Sequence, residues 1–240
     1  MNNVFITLVN PSHPGNIGAV ARAMKNMSLQ SLRLVKPQRA LTEEAFARAA
    51  GADDILDAAE RFETLSQAIA DCQLVIGTSA RVAVPDVFNI PMRAAASITH
   101  AASLAGQKIA ILFGREHAGL TNEELAVCHY HAYIPSNPQF SSLNLAAATQ
   151  IMCYELFLLT EQPMFVSEQT AEYADQEEIA RLFAHARQTL EALHFYDPTN
   201  PRRLFPKLRA LFNRTRLLKS EVAILRGILT AVDACEKPIY

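Results

Sequence analysis

Short β-branched apolar runs alternate with helix-periodic stretches through the first two thirds of the chain. VFITLV (4–9), LRLV (32–35), QLVIG (73–77), KIAILF (108–113) and HYHAYI (129–134) read as five strands. Helical patterns fall at 17–27, 42–50, 66–70, 92–104 and 145–159. Thr42 with Glu43 and Glu44 suits a helix start and Gly51 a helix end. Thr121 and Glu124 have capping-box spacing and open a further short helix. The stretch 82–91, with Pro85 and Pro91, reads as an irregular loop. Strands alternating with helices predict an α/β fold: a mostly parallel sheet with helices on both faces.

Three strand ends carry small or charged residues: 78–81 (TSAR), 114–116 (GRE) and 134–144 (IPSNPQFSSLN). In a parallel sheet such ends share one edge, where open α/β folds bind ligands. The last of them leads into the apolar helix at 145–159, and Ser or Asn at that start satisfies orphan N–H groups. Alone it reads more simply as a helix cap after an irregular loop. The loop NPSHPGN (10–16) precedes the first helix, where Gly15 and Gly18 permit close backbone approach. Arg22 on that helix is either a solvated surface arginine or a fixed charge aimed at the strand ends. The chain contains no GxGxxG, so the usual dinucleotide or class I methyltransferase loop is missing. The residues by themselves reach a ligand site at one sheet edge and name no ligand.

Composition narrows the class only a little. Half of the 240 residues are apolar, enough for a sizeable core, and the net charge of −2 gives no global basic field. Cys72, Cys128, Cys153 and Cys235 are far apart and read as reduced, mostly buried thiols of a cytoplasmic protein. His129 and His131 lack further ligands at metal-binding spacing, so no metal is expected. A secretory leader and a membrane span are not expected either.

The last third changes character. Residues 161–171 look like a linker. From 161 to 191 there are seven acidic and two basic residues; from 202 to 226 there are eight basic and one acidic. Helices are expected at 175–193, 202–212 and 220–234, with Leu204, Leu208, Leu211 and Phe212 forming an apolar stripe. The basic run is denser than solubility requires and suggests nucleic acid.

Three blocks, NPSHPGNIGAVARAM (10–24), LFGREHAGLTNEEL (112–125) and IPSNPQFSSLNLAAA (134–148), together resemble the SPOUT class of RNA ribose methyltransferases. With GTSAR (77–81), CHYH (128–131) and the basic extension carrying ILRGIL (224–229), the chain is similar to the branch that acts on cytidine or uridine 32 of the tRNA anticodon loop. The resemblance implies a SPOUT domain over 1–160 with a C-terminal trefoil knot, a linker at 161–171 and a tRNA-binding helical module at 172–240. Ordinary connection rules argue against a knot, so it comes from the resemblance alone. The resemblance further implies S-adenosylmethionine as methyl donor, S-adenosylhomocysteine as product, and a homodimer whose subunits complete each other's sites. Its cofactor residues map to Thr78, Ser79, Ala80, Gly114, Ile134, Ser141, Ser142 and Leu143.

For the reaction, Arg22 is the candidate to face the ribose 2′-oxygen. An arginine is always protonated, so oxyanion stabilisation suits it better than proton abstraction. Arg115 is a candidate phosphate ligand, Glu116 and Asn144 orient neighbours, and Ser142 touches cofactor or ribose. Arg81, Arg202, Arg203, Lys207, Arg209 and Arg214 are the RNA-binding candidates. The all-round hydrophobic helix at 145–159 is the candidate dimer interface. Val82, Ala83 and Val84 follow Arg81 where the branch often has a second basic residue, and the chain has no tryptophan. That departure concerns how the 82–91 loop holds RNA. A related enzyme acting on rRNA or another tRNA position, and a non-catalytic RNA-binding protein on the same fold, are the alternatives.

Overall fold

The computed structural model describes residues 1–80, 88–160 and 172–235. The chain divides into two compact units, Met1–Glu168 and Gln169–Tyr240. The expected linker at 161–171 and Arg81 lie outside the described residues.

The first unit is built on seven strands: β1 (Val4–Val9), β2 (Ser31–Val35), β3 (Glu60–Phe62), β4 (Leu74–Thr78), β5 (Asn89–Pro91), β6 (Ile109–Phe113) and β7 (Tyr130–Tyr133). Among the described residues, every pairing between these strands is parallel, in the order β3-β2-β1-β6-β4-β7-β5. Helices α1 (Pro14–Asn26), α2 (Glu43–Ala49), α3 (Asp53–Asp57), α4 (Leu65–Ile69), α5 (Met92–Leu104), α6 (Asn122–Ala126) and α7 (Leu145–Thr160) connect and follow them.

All six residues of β1 are buried. Val4, Ile6 and Leu8 face the layer that holds Ile17, Val20, Met24, Ala95, Met152 and Leu156 from α1, α5 and α7. Phe5 and Val9 face the opposite layer, with Ala68, Ile69 and Leu125 from α4 and α6. Burial on both faces is why the strand reads as a continuous apolar run. On that second face buried Arg33 donates to Asp71 at 2.9 and 3.1 Å and to Ala68 O at 2.6 Å, over the Phe5 ring. This fastens α4 to the sheet.

Two strands are not legible in the pattern. β3 has three residues and little apolar content, and β5 ends on Pro91. Both are sheet edges, where a strand is short and tolerates proline. The stretch expected to be loop up to Pro91 therefore ends in an edge strand. α1 also starts earlier than its apolar period, at Pro14, because proline is preorganised for the first helical turn. Arg22 thus stands in the third turn of α1, further from its start than one turn into a helix from residue 17 would put it. After α2 it is Ala50, at φ 47°, that takes the left-handed cap, with Gly51 at φ 93° behind it.

Two late insertions organise the functional edge. The chain lays down β1 to β5 first, then places β6 between β1 and β4 and β7 between β4 and β5. The segments leaving β4, β6 and β7 are consequently neighbours.

The second unit contains α8 (Gln176–Ala192), α9 (Leu204–Thr215) and α10 (Lys219–Asp233). Asp175 caps α8 and Glu178 returns the bond, a complete capping box. Ile179, Leu182, Phe183 and Val222 form the core, joined by Phe205, Leu208 and Phe212. The inward stripe of α9 is therefore Phe205–Leu208–Phe212. Leu211, expected inside, is 44% exposed, since it lies round the helix from that stripe.

Candidate active site

The segments after β4, β6 and β7 enclose a cleft of about 280 Å³. Thr78, Ser79, Ala80, Gly114, Ile134, Ser141, Ser142 and Leu143 all line it, together with Arg115, Glu116, Met92 and Phe113. Thr78 donates its hydroxyl to Leu112 O at 2.8 Å and Ser79 N donates to Ala132 O at 3.0 Å, tying the end of β4 to both inserted strands.

The β6 segment turns back on itself. Arg115 and Gly119 exchange backbone hydrogen bonds of 3.1 and 2.8 Å, and Gly119 adopts φ 67°. A Cβ on Gly114 would run into the backbone of Gly119 and Leu120, so the turn closes only over glycine. Arg115 then reaches Glu124 with both terminal nitrogens, at 2.9 and 3.0 Å. Glu124 also closes the capping box of α6 with Thr121. The guanidinium suggested for a phosphate is thus already held in a bidentate ion pair that braces the turn.

Glu116 points the other way, into the 10–16 loop. Its carboxylate accepts from Ser12 N (3.1 Å), Ser12 Oγ (2.7 Å), His13 N (3.1 Å) and Asn16 Nδ2 (3.0 Å). Burial pushes this acid up, but the bonds from Asn16 and Ser12 outweigh it and bring the group down to about 2 from 4.5. It is a fixed anion at neutral pH.

Asn144 joins the same network. Its Nδ2 donates to Asn16 Oδ1 at 3.2 Å, while its Oδ1 accepts from Ala146 N at 2.9 Å and caps α7. Every donor in this chain is dictated by its neighbour: Ala146 to Asn144, Asn144 to Asn16, Asn16 to Glu116. Asn16 and Ser12 were not singled out from the sequence, although the polar cluster in NPSHPGN was the available signal. Asn16 and Asn144, with His13, Gly15, Ala19, Glu44 and Arg48, also line a second cavity alongside.

Arg22 lies elsewhere. It is exposed on α1 and lines neither cavity. In the helical unit, Arg202, Arg203, Lys207 and Arg214 are exposed. Arg209, another RNA-binding candidate, is less exposed than these: its guanidinium stacks 4.7 Å over Phe183, and burial lowers its pKa. His129 Nδ1 accepts from Val75 N at 3.0 Å and His131 Nε2 meets Leu125 O at 3.0 Å, so both are built into the sheet.

Helix α7 buries Leu145, Met152, Cys153 and Leu156 within its own unit. Tyr154 and Leu158 remain exposed at 47% and 38%.

A parallel sheet with late-inserted strands around this cleft defines a class, and residues 3–154 match the model of the SpoU rRNA Methylase family. Residues 177–238 match a second model, the tRNA methyltransferase TrmJ C-terminal domain. The chain belongs to the TrmJ family of SpoU-type methylases. It is 44% identical over 241 residues to the tRNA (cytidine/uridine/adenosine-2′-O-)-methyltransferase TrmJ of Pseudomonas aeruginosa, covering 96% of this chain and 93% of that one. The crystal structure of TrmJ from Z. mobilis superposes with a TM-score of 0.83 at 32% identity, covering 95% of this chain and 98% of that one. An AdoMet-bound rRNA methyltransferase from Sinorhizobium meliloti shares 25% identity at a TM-score of 0.51, covering 64% of this chain and 55% of that one.

Proposed function

We propose that this protein is an S-adenosylmethionine-dependent methyltransferase of tRNA, acting on the ribose 2′-hydroxyl of cytidine or uridine 32 in the anticodon loop. The observation that carries this is the cleft itself. Eight residues from three distant sequence blocks line one cavity at the ligand edge of the sheet. The name of the Pseudomonas relative supports tRNA ribose as the substrate, and the bound ligand of the Sinorhizobium relative supports the donor.

The cleft fits a cationic nucleoside donor. Phe113, Ile134, Leu143 and Met92 offer apolar walls for a flat base, and the Glu116 carboxylate supplies negative charge at the rim. When bound, S-adenosylmethionine supplies a methyl group already activated on a sulfonium and leaves as S-adenosylhomocysteine, so the chemistry calls for no metal. Ser141, Ser142 and Leu143 hold that donor, with Ser142 shared between donor and ribose. The chain Ala146–Asn144–Asn16–Glu116 fixes the rim so that the hydroxyl and methyl meet in line.

Arg22 supplies the permanent cation that stabilises charge developing on the 2′-oxygen. Because it lies outside its own chain's cavities, the reading places it at the cleft of a second subunit in a homodimer. Tyr154 and Leu158 on α7 are apolar surface available to such an interface. A substrate phosphate or water takes the hydroxyl proton as the O–C bond forms and the S–C bond breaks. The exposed cations Arg202, Arg203, Lys207 and Arg214 contact tRNA phosphates, and Arg81 is assigned to the same task. We place the protein in the cytoplasm, where tRNA is found. Among the described residues no helix is long and apolar enough to cross a membrane. The reading also includes a SPOUT domain over 1–160, a linker at 161–171, a tRNA-binding module at 172–240 and the family's C-terminal knot.

Nucleoside analysis of tRNA from a deletion strain tests the function. Loss of 2′-O-methylation at position 32, restored by the gene, is the expected result. Unchanged methylation there would refute the assignment.

A further inference from the structure

Phe140 is the most exposed large apolar side chain among the described residues, at 80%. It sits on the segment after β7, directly before Ser141 and Ser142, which line the cleft. The ring is not on slack chain. Phe140 N donates to Asn137 O at 2.9 Å, and Gln139 N donates to Asn137 Oδ1 at 3.0 Å. This side-chain-braced turn holds the aromatic outward.

Such a ring has no packing role in its own unit, since it joins none of the apolar clusters. Of the other residues in this segment, Pro135 and Pro138 are exposed and Leu143 is 38% exposed, and the rest are mostly polar. Residues 135–140 are all exposed, and Ser136, Asn137, Gln139 and Ser141 around it are polar. A protein partner's anchor is usually surrounded by apolar contacts that exclude water. A flat, outward-held ring flanked in sequence by Gln139 and Ser141 suits a partner that is itself flat and polar-edged. Single-stranded RNA offers that, because its unstacked bases are held on aromatic side chains.

We propose that Phe140 is a stacking platform for a nucleobase of the RNA substrate and positions the neighbouring ribose at the mouth of the donor cleft. The proposal rests on the ribose methyltransferase reading and deepens it. Stacking uses a π-face that every base has, so Phe140 contributes affinity and orientation rather than base choice.

The chain contains no tryptophan, so Phe140→Trp installs a single indole reporter at this position. Titrating that variant with an unmodified full-length tRNA transcript should quench its emission saturably. A transcript with an abasic nucleotide at the target position should quench it far less. In steady-state assays Phe140→Ala should lower kcat/KM for tRNA about tenfold, within the range that one stacked base contributes. Phe140→Leu should be as poor as alanine, and Phe140→Tyr should stay within about twofold of wild type. S-adenosylmethionine affinity by calorimetry and oligomer mass by sedimentation should not change.

Leucine rescuing as well as tyrosine would overturn the proposal, because the ring would then act as bulk. So would a matching loss of donor affinity, a changed oligomer mass, or absence of quenching. Normal wild-type turnover with no effect at Phe140 defeats the platform alone. A wild type that binds tRNA without methyl transfer defeats the enzymatic reading, while base-dependent quenching in the indole variant would still support the platform.

Discussion

Glu116 shows how one side chain can organise a site through the loop it anchors. Its carboxylate collects four donors from Ser12, His13 and Asn16. Replacing it by glutamine turns an amide NH₂ toward those donors. Glu116→Gln should therefore cost about 1–3 kcal/mol of stability, the range for charged or unsatisfied hydrogen bonds, and reduce turnover as Asn16 loses its anchor. Chemical denaturation and steady-state kinetics check both effects. The pH dependence follows from the sign of the shift. The folded carboxyl, at about 2, lies below its ordinary 4.5, so the unfolded chain takes the proton first. Its stabilisation is complete above about 4.5 and is lost as pH falls toward 2. Asp71, also held below its usual range, adds to the same acid slope. The glutamine variant should therefore show a shallower acid slope than wild type, and an identical slope would refute the account. Arg22→Ala makes a contrasting test. Placed outside the donor cleft, Arg22 should affect kcat by about a hundredfold or more, as a lost charge-stabilising donor does, while calorimetric S-adenosylmethionine affinity stays near wild type. Parallel losses of both would indicate a structural arginine.

Among the secondary elements, α1 matters most, because its N-terminal loop holds Glu116 and its body packs on α2. Gly18 makes that packing possible: a Cβ there would meet the backbone carbonyl of Ala45. Gly18→Ala should force α1 and α2 apart and cost at least about 1–3 kcal/mol, read as a lowered Tm with impaired donor binding. Gly227 in α10 supplies the converse. Nothing lies within 4 Å of a Cβ there, so Gly227→Ala should stabilise the helical unit by about 0.5–1 kcal/mol through helix propensity. The first substitution harmless and the second harmful would refute this reading of the helix contacts.

At the scale of the whole molecule, net charge misleads and distribution informs. The chain is slightly acidic overall, yet eight of nine charged residues from 202 to 226 are basic. Two of them are packed on aromatic rings. Arg209 lies over Phe183 and Arg216 over Tyr173, 4.7 and 4.3 Å from the ring centres. Neutralising the exposed Arg202, Arg203 and Lys207 together should weaken tRNA binding and reduce the slope of log K against log salt by about 2–3, as fewer counterions are released. Binding measured across a salt series tests this, and an unchanged slope would mean these cations face solvent only. Removing Arg209 should instead loosen the helical unit, because an arginine stem covering an aromatic ring contributes packing as well as charge.

The sequence by itself determined the alternation of strands and helices, the small residues at three strand ends, and the acidic-to-basic change in the last third. These are local facts: a strand buried on both faces is mostly apolar, and small or polar residues just past a strand end leave room and hydrogen bonds for a ligand. It also contained the three motif blocks, which sufficed for the family resemblance. It did not disclose β3 or β5, whose edge positions ask little of three residues. Nor did it disclose that Arg115 is taken by Glu124, or that Asn16 relays Asn144 to Glu116. The Arg115–Glu124 pair is set by the turn after β6, whereas the Asn144–Asn16–Glu116 relay joins residues 100 and 128 positions apart and exists because β6 lies beside β1 and β7 lies beside β4. That order of neighbours brings residues 78, 114 and 142 into one cleft. Adjacency of this kind is a property of the sheet, and no periodicity along the chain encodes it.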